Sequence, residues 1–203
     1  MPIIDVLFKI RGNEIPADHA YYLYSSLSKI VPFIHENSTV GIHNINGILE
    51  GERKLKITDK SVLKLRLNSD DLSQVLPIAG KKIKIATNEI YIGVPSSRKL
   101  IPASKLYSRL VIIKGFMEPE PFLEAVKRQF EKMNIKGKPY LVKVKGDNGM
   151  KYLRRTINVH GKEIVGFSVR VNELTADESI TLQEKGIGGR RHFGCGIFVP
   201  DRS

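Results

Sequence analysis

The chain has 203 residues, with 33 Lys+Arg against 21 Asp+Glu, a formal net charge of +12, five His, one Cys and no Trp. That length allows one large domain or two of about 100 residues, each able to bury a core, and a content of 41% hydrophobic and 27% charged residues excludes disordered and collagen-like chains. A lone cysteine makes no intramolecular disulfide and begins no zinc or Cys-x-x-Cys site, while the positive surplus points to a polyanionic partner, nucleic acid before anionic membrane.

Ile4, Val6, Phe8 and Ile10 alternate with Asp5 and Lys9, as in a strand with one buried face. The same residues have neither the basic start nor the long apolar run of a signal peptide. No later run reaches membrane-spanning length, so a cytoplasmic protein without a membrane partner is expected. Pro16 and Asp18 open a helix in which Ala20, Leu23, Leu27 and Ile30 recur at three and four residues, and which should stop before Pro32. Val40 and Ile42 read as a short strand, Leu55 and Ile57 as a hairpin arm, and Leu63, Leu65 and Leu67, alternating with Lys64 and Arg66, as a stronger strand. A short helix follows from Ser69 to Leu76. Ile83 and Ile85, then Ile90 and Ile92, flank a turn at Thr87-Asn88. The stretch from Pro95 to Pro102 has little periodicity and reads as a connection between domains.

Beyond it the same order of elements returns. Leu106 to Lys114 reads as a strand, and Phe122, Val126, Phe130 and Met133 mark the buried stripe of a helix. Leu141 to Lys145 and Glu163 to Val171 read as extended. Thr175 and Glu178 stand at capping-box spacing, opening a helix that ends near Lys185, and Phe193 to Val199 reads as a closing strand. Each half thus runs strand, helix, strand, strand, helix, strand. The expected fold class is α+β, with two tandem ferredoxin-like (βαββαβ) domains at 1–94 and 105–203 joined by a linker at 95–104. Residues 1–103 carry 14 basic and 10 acidic side chains and residues 104–203 carry 19 and 11, so the second half should bear more of the polyanion footprint.

The segment Gly186-Ile187-Gly188-Gly189-Arg190-Arg191-His192-Phe193-Gly194-Cys195-Gly196 holds five of the chain's 17 glycines. Glycine lets backbone N–H groups approach a phosphate, and arginine adds a bidentate donor, so Gly186, Gly188, Gly189, Arg190, Arg191 and His192 are candidates for contact with a nucleic-acid backbone. No Gly-Lys-Ser/Thr follows, so the segment is not a P-loop. Arg154 and Arg155 are further candidates for backbone contact. His19, His35 and His43 fall within 25 residues. No acidic or cysteine cluster at ligand spacing accompanies them, so no metal or other cofactor is expected. Acid–base chemistry by neutral imidazole is the alternative. Tyr21, Tyr22 and Tyr24 crowd the first helix and read mostly as packing. Cys195 reads as a small hydrophobe and His160-Gly161 as a turn.

The Pro16-Ala17-Asp18-His19-Ala20-Tyr21-Tyr22-Leu23 helix start, Phe33-Ile34-His35-Glu36, Val40-Gly41-Ile42-His43 and the Gly186 to Phe198 segment together resemble the CRISPR-associated repeat-specific endoribonucleases. The likeness spans nearly the whole chain and looks closest to the short variants of myxobacterial and cyanobacterial type I systems. It implies metal-independent cutting of precursor CRISPR RNA within its repeats. The ribose 2′-hydroxyl attacks the adjacent phosphate, and the ends left are a 2′,3′-cyclic phosphate and a 5′-hydroxyl. In this resemblance His35 matches the family's histidine after the first helix. His43 and His19 are alternatives, Ser28 stands where relatives carry tyrosine or histidine, and Lys29 could offer charge. If the histidines prove structural, the base falls to Tyr24, Ser28 or Lys29. The implied partners are precursor and mature guide RNA, and the subunits of an interference or transposition complex. A non-cutting RNA-binding subunit is the rival reading.

Overall fold

The alternation that opens the chain becomes strand β1, Ile3–Arg11. The computed structural model describes residues 2–51, 53–147 and 149–202. Its backbone divides into two units, Met1–Lys99 with Ile157–Gly161 and Arg191–Gly194, and Leu100–Thr156 with Lys162–Arg190 and Cys195–Ser203.

In the first unit β1 is followed by β2 (Glu14–Pro16), α1 (Ala20–Ile30), α2 (Phe33–Glu36), β3 (Gly41–Ile42), β4 (Ile48–Glu50), β5 (Lys54–Lys56), β6 (Val62–Asn68), α3 (Leu72–Val75), β7 (Lys82–Ile85) and β8 (Asn88–Lys99). An antiparallel sheet takes the order β3-β6-β1-β8-β7. Its first four members are the second, third, first and fourth strands of a βαββαβ chain, which is the ferredoxin-like arrangement. Val6 lies opposite Leu65 and Phe8 opposite Leu63. All four are fully buried and share a core with Leu23 and Leu27 of α1. β2, β5 and β4 form a separate three-stranded sheet.

The chain continues through β9 (Leu106–Val111), α4 (Pro119–Lys132), β10 (Lys138–Leu141), β11 (Lys143–Gly146), β12 (Gly149–Tyr152), β13 (Arg154–Val159), β14 (Lys162–Asn172), α5 (Ala176–Lys185) and β15 (Val199–Pro200). The second unit's sheet runs β10-β14-β9-β15, the same strand permutation. Its core sets Phe122, Val126 and Phe130 of α4 with Phe167, Val169 and Val171 of β14. The capping box forms as expected. Thr175 Oγ1 accepts from Glu178 N–H at 3.3 Å and the Glu178 carboxylate accepts from Thr175 N–H at 2.8 Å. The Thr175 N–H, with the Lys136 N–H as a second donor, holds the Glu178 carboxyl below its ordinary value. No helix among the described residues is long and apolar enough to cross a membrane.

Two expectations change. The expected 95–104 linker begins inside β8, where Pro95 to Lys99 pair with β1. β7 pairs β8 only over Asn88–Tyr91, so the opposite edge of 95–99 asks nothing of the missing proline N–H, and a register shift between Phe8 and Ile10 takes up the irregularity. The expected Phe193–Val199 strand is a 3₁₀ turn at Arg191–Phe193 and then a strand of only Val199–Pro200. Gly194 and Gly196 stand at φ 75° and 66°, which no strand accommodates.

Candidate active site

Helical spacing on α1 separates two stripes. Ala20, Leu23 and Leu27 are buried, whereas Tyr21, Tyr24, Ser25 and Ser28, at i, i+3, i+4 and i+7, line a cavity of about 370 Å³ in the first unit. Pro32 cannot continue the helix. The chain turns there into the single turn α2, where His35 N–H bonds back to the Pro32 carbonyl at 2.8 Å, and His35 joins the cavity wall with Lys29, Glu36 and His160.

The Tyr24 hydroxyl is 2.5 Å from His35 Nδ1. The Tyr24 ring is gripped on its other sides. His192 stacks parallel to it, with centroids 5.2 Å apart and planes at 11°, and Phe193 meets it edge-on at 5.0 Å. His192 Nε2 lies 2.9 Å from the Asn37 carbonyl oxygen. A carbonyl only accepts, so that nitrogen carries the proton and the ring is fixed. Ser28 Oγ is shut off from solvent and has no hydrogen-bond partner among the described residues. Side chains carrying a phenol, an imidazole, a hydroxyl and an ammonium thus line one hollow.

The three histidines expected to cluster are dispersed. His19 is 3% exposed, with Nδ1 3.0 Å from the Pro16 carbonyl and Nε2 accepting from Ile45 N–H at 2.9 Å, so both ring nitrogens serve the fold. His43 sits at Asp5 in the sheet, Nε2 to Oδ1 3.6 Å, and does not line the cavity. Only His35 of the three does. His43 is pushed down to about 4, by burial first and then by the Arg66 and Lys64 cations, against the opposing pull of Asp5. Burial alone would raise Asp5, but the nearby His43 ring and the hydrogen-bonded Arg66 guanidinium outweigh it and hold its carboxyl well below the usual carboxylate range. Arg66, 1% exposed, clasps that carboxylate at 2.7 and 3.1 Å.

The glycine segment acts differently from the expected phosphate cradle. The N–H groups of Gly186, Gly188, Gly189 and Gly196 donate to Leu182 O, Gln129 Oε1, Ile112 O and Leu110 O, so these amides are occupied inside the protein. A Cβ at Gly188 would collide with the Ile112 carbonyl and one at Gly196 with that of Ile187, so close packing is what requires glycine there. Arg190 is exposed at φ 65°. Arg191 is pushed down to about 10 by burial and by Arg66, placing it with the Asp5 cluster. Arg154 stands over the Phe167 ring at 5.3 Å and donates to the Met117 carbonyl, and Arg155 donates to Ser168 Oγ. Cys195 is fully buried and its thiol is pushed up to about 12 by that burial, in keeping with a small hydrophobe.

Sequence reasoning left Tyr21 to packing and His160 to a turn, and named Tyr24 only as a fallback base. The available signal for the tyrosines was their i, i+3 spacing with Ser25 and Ser28 on the polar side of α1. His160 offered none, since its partner lies 139 residues away.

The family described as Cas6 Crispr matches residues 4–203. The CRISPR-associated endonuclease Cas6 of Myxococcus xanthus (strain DK1622) is 34% identical over 200 residues, covering 98% of this chain and 82% of that one. A Pyrococcus furiosus protein from a Cas6-related gene superposes with a TM-score of 0.69 at 14% identity, over 99% of both chains. A RAMP protein that binds different RNA substrates gives 0.68 at 14% identity, covering 96% and 98%. At these identities the two structures speak for the fold.

Proposed function

This chain belongs to the Cas6 family, and on that premise we propose that it is a metal-independent endoribonuclease that binds CRISPR repeat RNA and cuts it in the cavity on α1. The observation that carries this reading is the Tyr24–His35 couple in a hollow shared with Ser28 and Lys29. As the ribose O2′ attacks, the O2′–P bond forms while the P–O5′ bond breaks. A base takes the 2′ proton and an acid gives one to O5′, leaving a 2′,3′-cyclic phosphate and a 5′-hydroxyl. His35, with Nδ1 engaged by Tyr24, turns Nε2 to that work. The hydroxyl both donates and accepts, so it supports the ring whether neutral or protonated. Lys29 supplies positive charge for the phosphorane. Arg190, Arg154 and Arg155 of the second unit add positive charge for holding RNA, whereas Arg191 is largely buried beside Arg66 and Asp5. Delivery of the guide to a larger interference or transposition complex, in the cytoplasm, completes the proposal.

Single-turnover cutting of the host's own repeat RNA in EDTA tests it. His35→Ala should slow the step by about 10² to 10⁴-fold with affinity within a few-fold, and a 2′-deoxy substitution at the scissile nucleotide should abolish it. Chelator-sensitive cutting, or cutting of the deoxy substrate, would falsify the internal-attack mechanism. Tight binding without cutting would make the chain a binding subunit.

A further inference from the structure

In-line displacement at phosphorus needs proton removal on one side and proton donation on the other, and a lone imidazole must do both or leave one to water. The cavity on α1 holds a second histidine. His160 comes from the reversal between β13 and β14, where His160 and Gly161 stand at φ 52° and 75°. Histidine is among the residues that meet that left-handed backbone readily, so the turn holds the ring in place without strain.

Its ring lies against Tyr21, with centroids 4.6 Å apart and Nδ1 3.2 Å from the Tyr21 hydroxyl. The reversal is anchored to the start of α1, since Asn158 N–H donates to the Asp18 carboxylate at 2.9 Å. His160 lines both the α1 cavity and an adjoining cleft of about 360 Å³ that Asp18, Tyr21 and Tyr22 also line. All these residues belong to the first unit. Tyr21 and Tyr24 are one turn apart on α1, so the helix presents two tyrosine–histidine couples to one hollow, each joined hydroxyl to Nδ1. Nε2 of either ring is then the nitrogen turned to a substrate. The charged and titratable side chains around them are Lys29, Glu36 and Tyr24 by His35, and Asp18, Tyr21 and Tyr22 by His160.

We propose that His160 is the second acid–base group of the reaction, exchanging its proton with one oxygen of the scissile phosphodiester while His35 serves the other. One ring takes the O2′ proton and the other protonates O5′, and the two return to their starting states when the product leaves and a proton passes between them through solvent. This inference rests on the endoribonuclease reading.

His160→Asn tests it, because asparagine accepts the left-handed turn and keeps the fold. Single-turnover cleavage of the host's repeat RNA should fall about 10² to 10³-fold, repeat affinity should stay within a few-fold, and the pH–rate profile should lose one limb. A substrate with sulfur in place of the bridging 5′ oxygen needs no acid at the leaving group, so it should restore the rate of either His160→Asn or His35→Ala, and not of both. Cutting by His160→Asn at the wild-type rate overturns the proposal, as does a loss of rate matched by an equal loss of affinity with the pH profile unchanged. If the wild-type protein cuts no repeat RNA, the endoribonuclease reading itself fails.

Discussion

Acid should weaken this fold through one histidine. His43 is held down to about 4 in the folded chain, against 6.5 for the ordinary ring. Above 6.5 the ring is neutral folded or unfolded and its contribution to stability is complete. Between 6.5 and about 4 the unfolded ring takes a proton that the folded one refuses, so stability falls as pH falls through that window. At about 1.4 kcal/mol per pH unit, going from pH 7.5 to 5 removes about 2 kcal/mol. Asp5 is level over this range, because its folded carboxyl lies far below the unfolded value of 3.8 and stays charged throughout. Urea unfolding followed by tyrosine fluorescence, at both pH values, on the wild type and His43→Gln isolates the effect, since the other histidines are common to both proteins. The wild type should lose about 2 kcal/mol more than the variant on acidification. Equal losses would refute the claim that His43 is neutral beside Asp5.

Gly196→Ala should cost about 2 kcal/mol or more and lower the melting temperature by several degrees, while Gly51→Ala, with nothing within 4 Å of a Cβ, should leave it nearly unchanged. A circular-dichroism melt in which the two variants match would undo the packing account of the glycine segment. Arg190→Ala should lower the slope of log affinity for repeat RNA against log salt by about 0.7 to 0.9 without altering the melt, and an unchanged slope would move the RNA contact elsewhere. Cys195 should resist iodoacetamide in the folded protein and react fully in urea, as a buried thiol pushed up to about 12 requires, and ready labelling of the native chain would contradict its burial.

Local periodicity carried much of this protein into view from its sequence. Alternation marked β1 and β6, three- and four-residue spacing marked α1 and α4, and Thr175 with Glu178 marked the start of α5, because each signal depends only on which residues share a face of one element. Repetition of that order in both halves was enough for tandem ferredoxin-like units, and His35 after the Pro32 break was legible as a candidate. Tertiary structure decided the rest. Which histidines meet solvent depends on what lies across the sheet from them. Ile45 and Pro16 close over His19, and Asp5 with Arg66 encloses His43. The glycine segment could be read from composition as a phosphate cradle, yet the carbonyls of Ile112 and Leu110, far back in the chain, claim its amides. Likewise no spacing rule joins Tyr21 to His160 across 139 residues. Hydrogen bonds and packing between distant segments are fixed only when the chain closes on itself, and those contacts determine which side chains reach the cavity on α1.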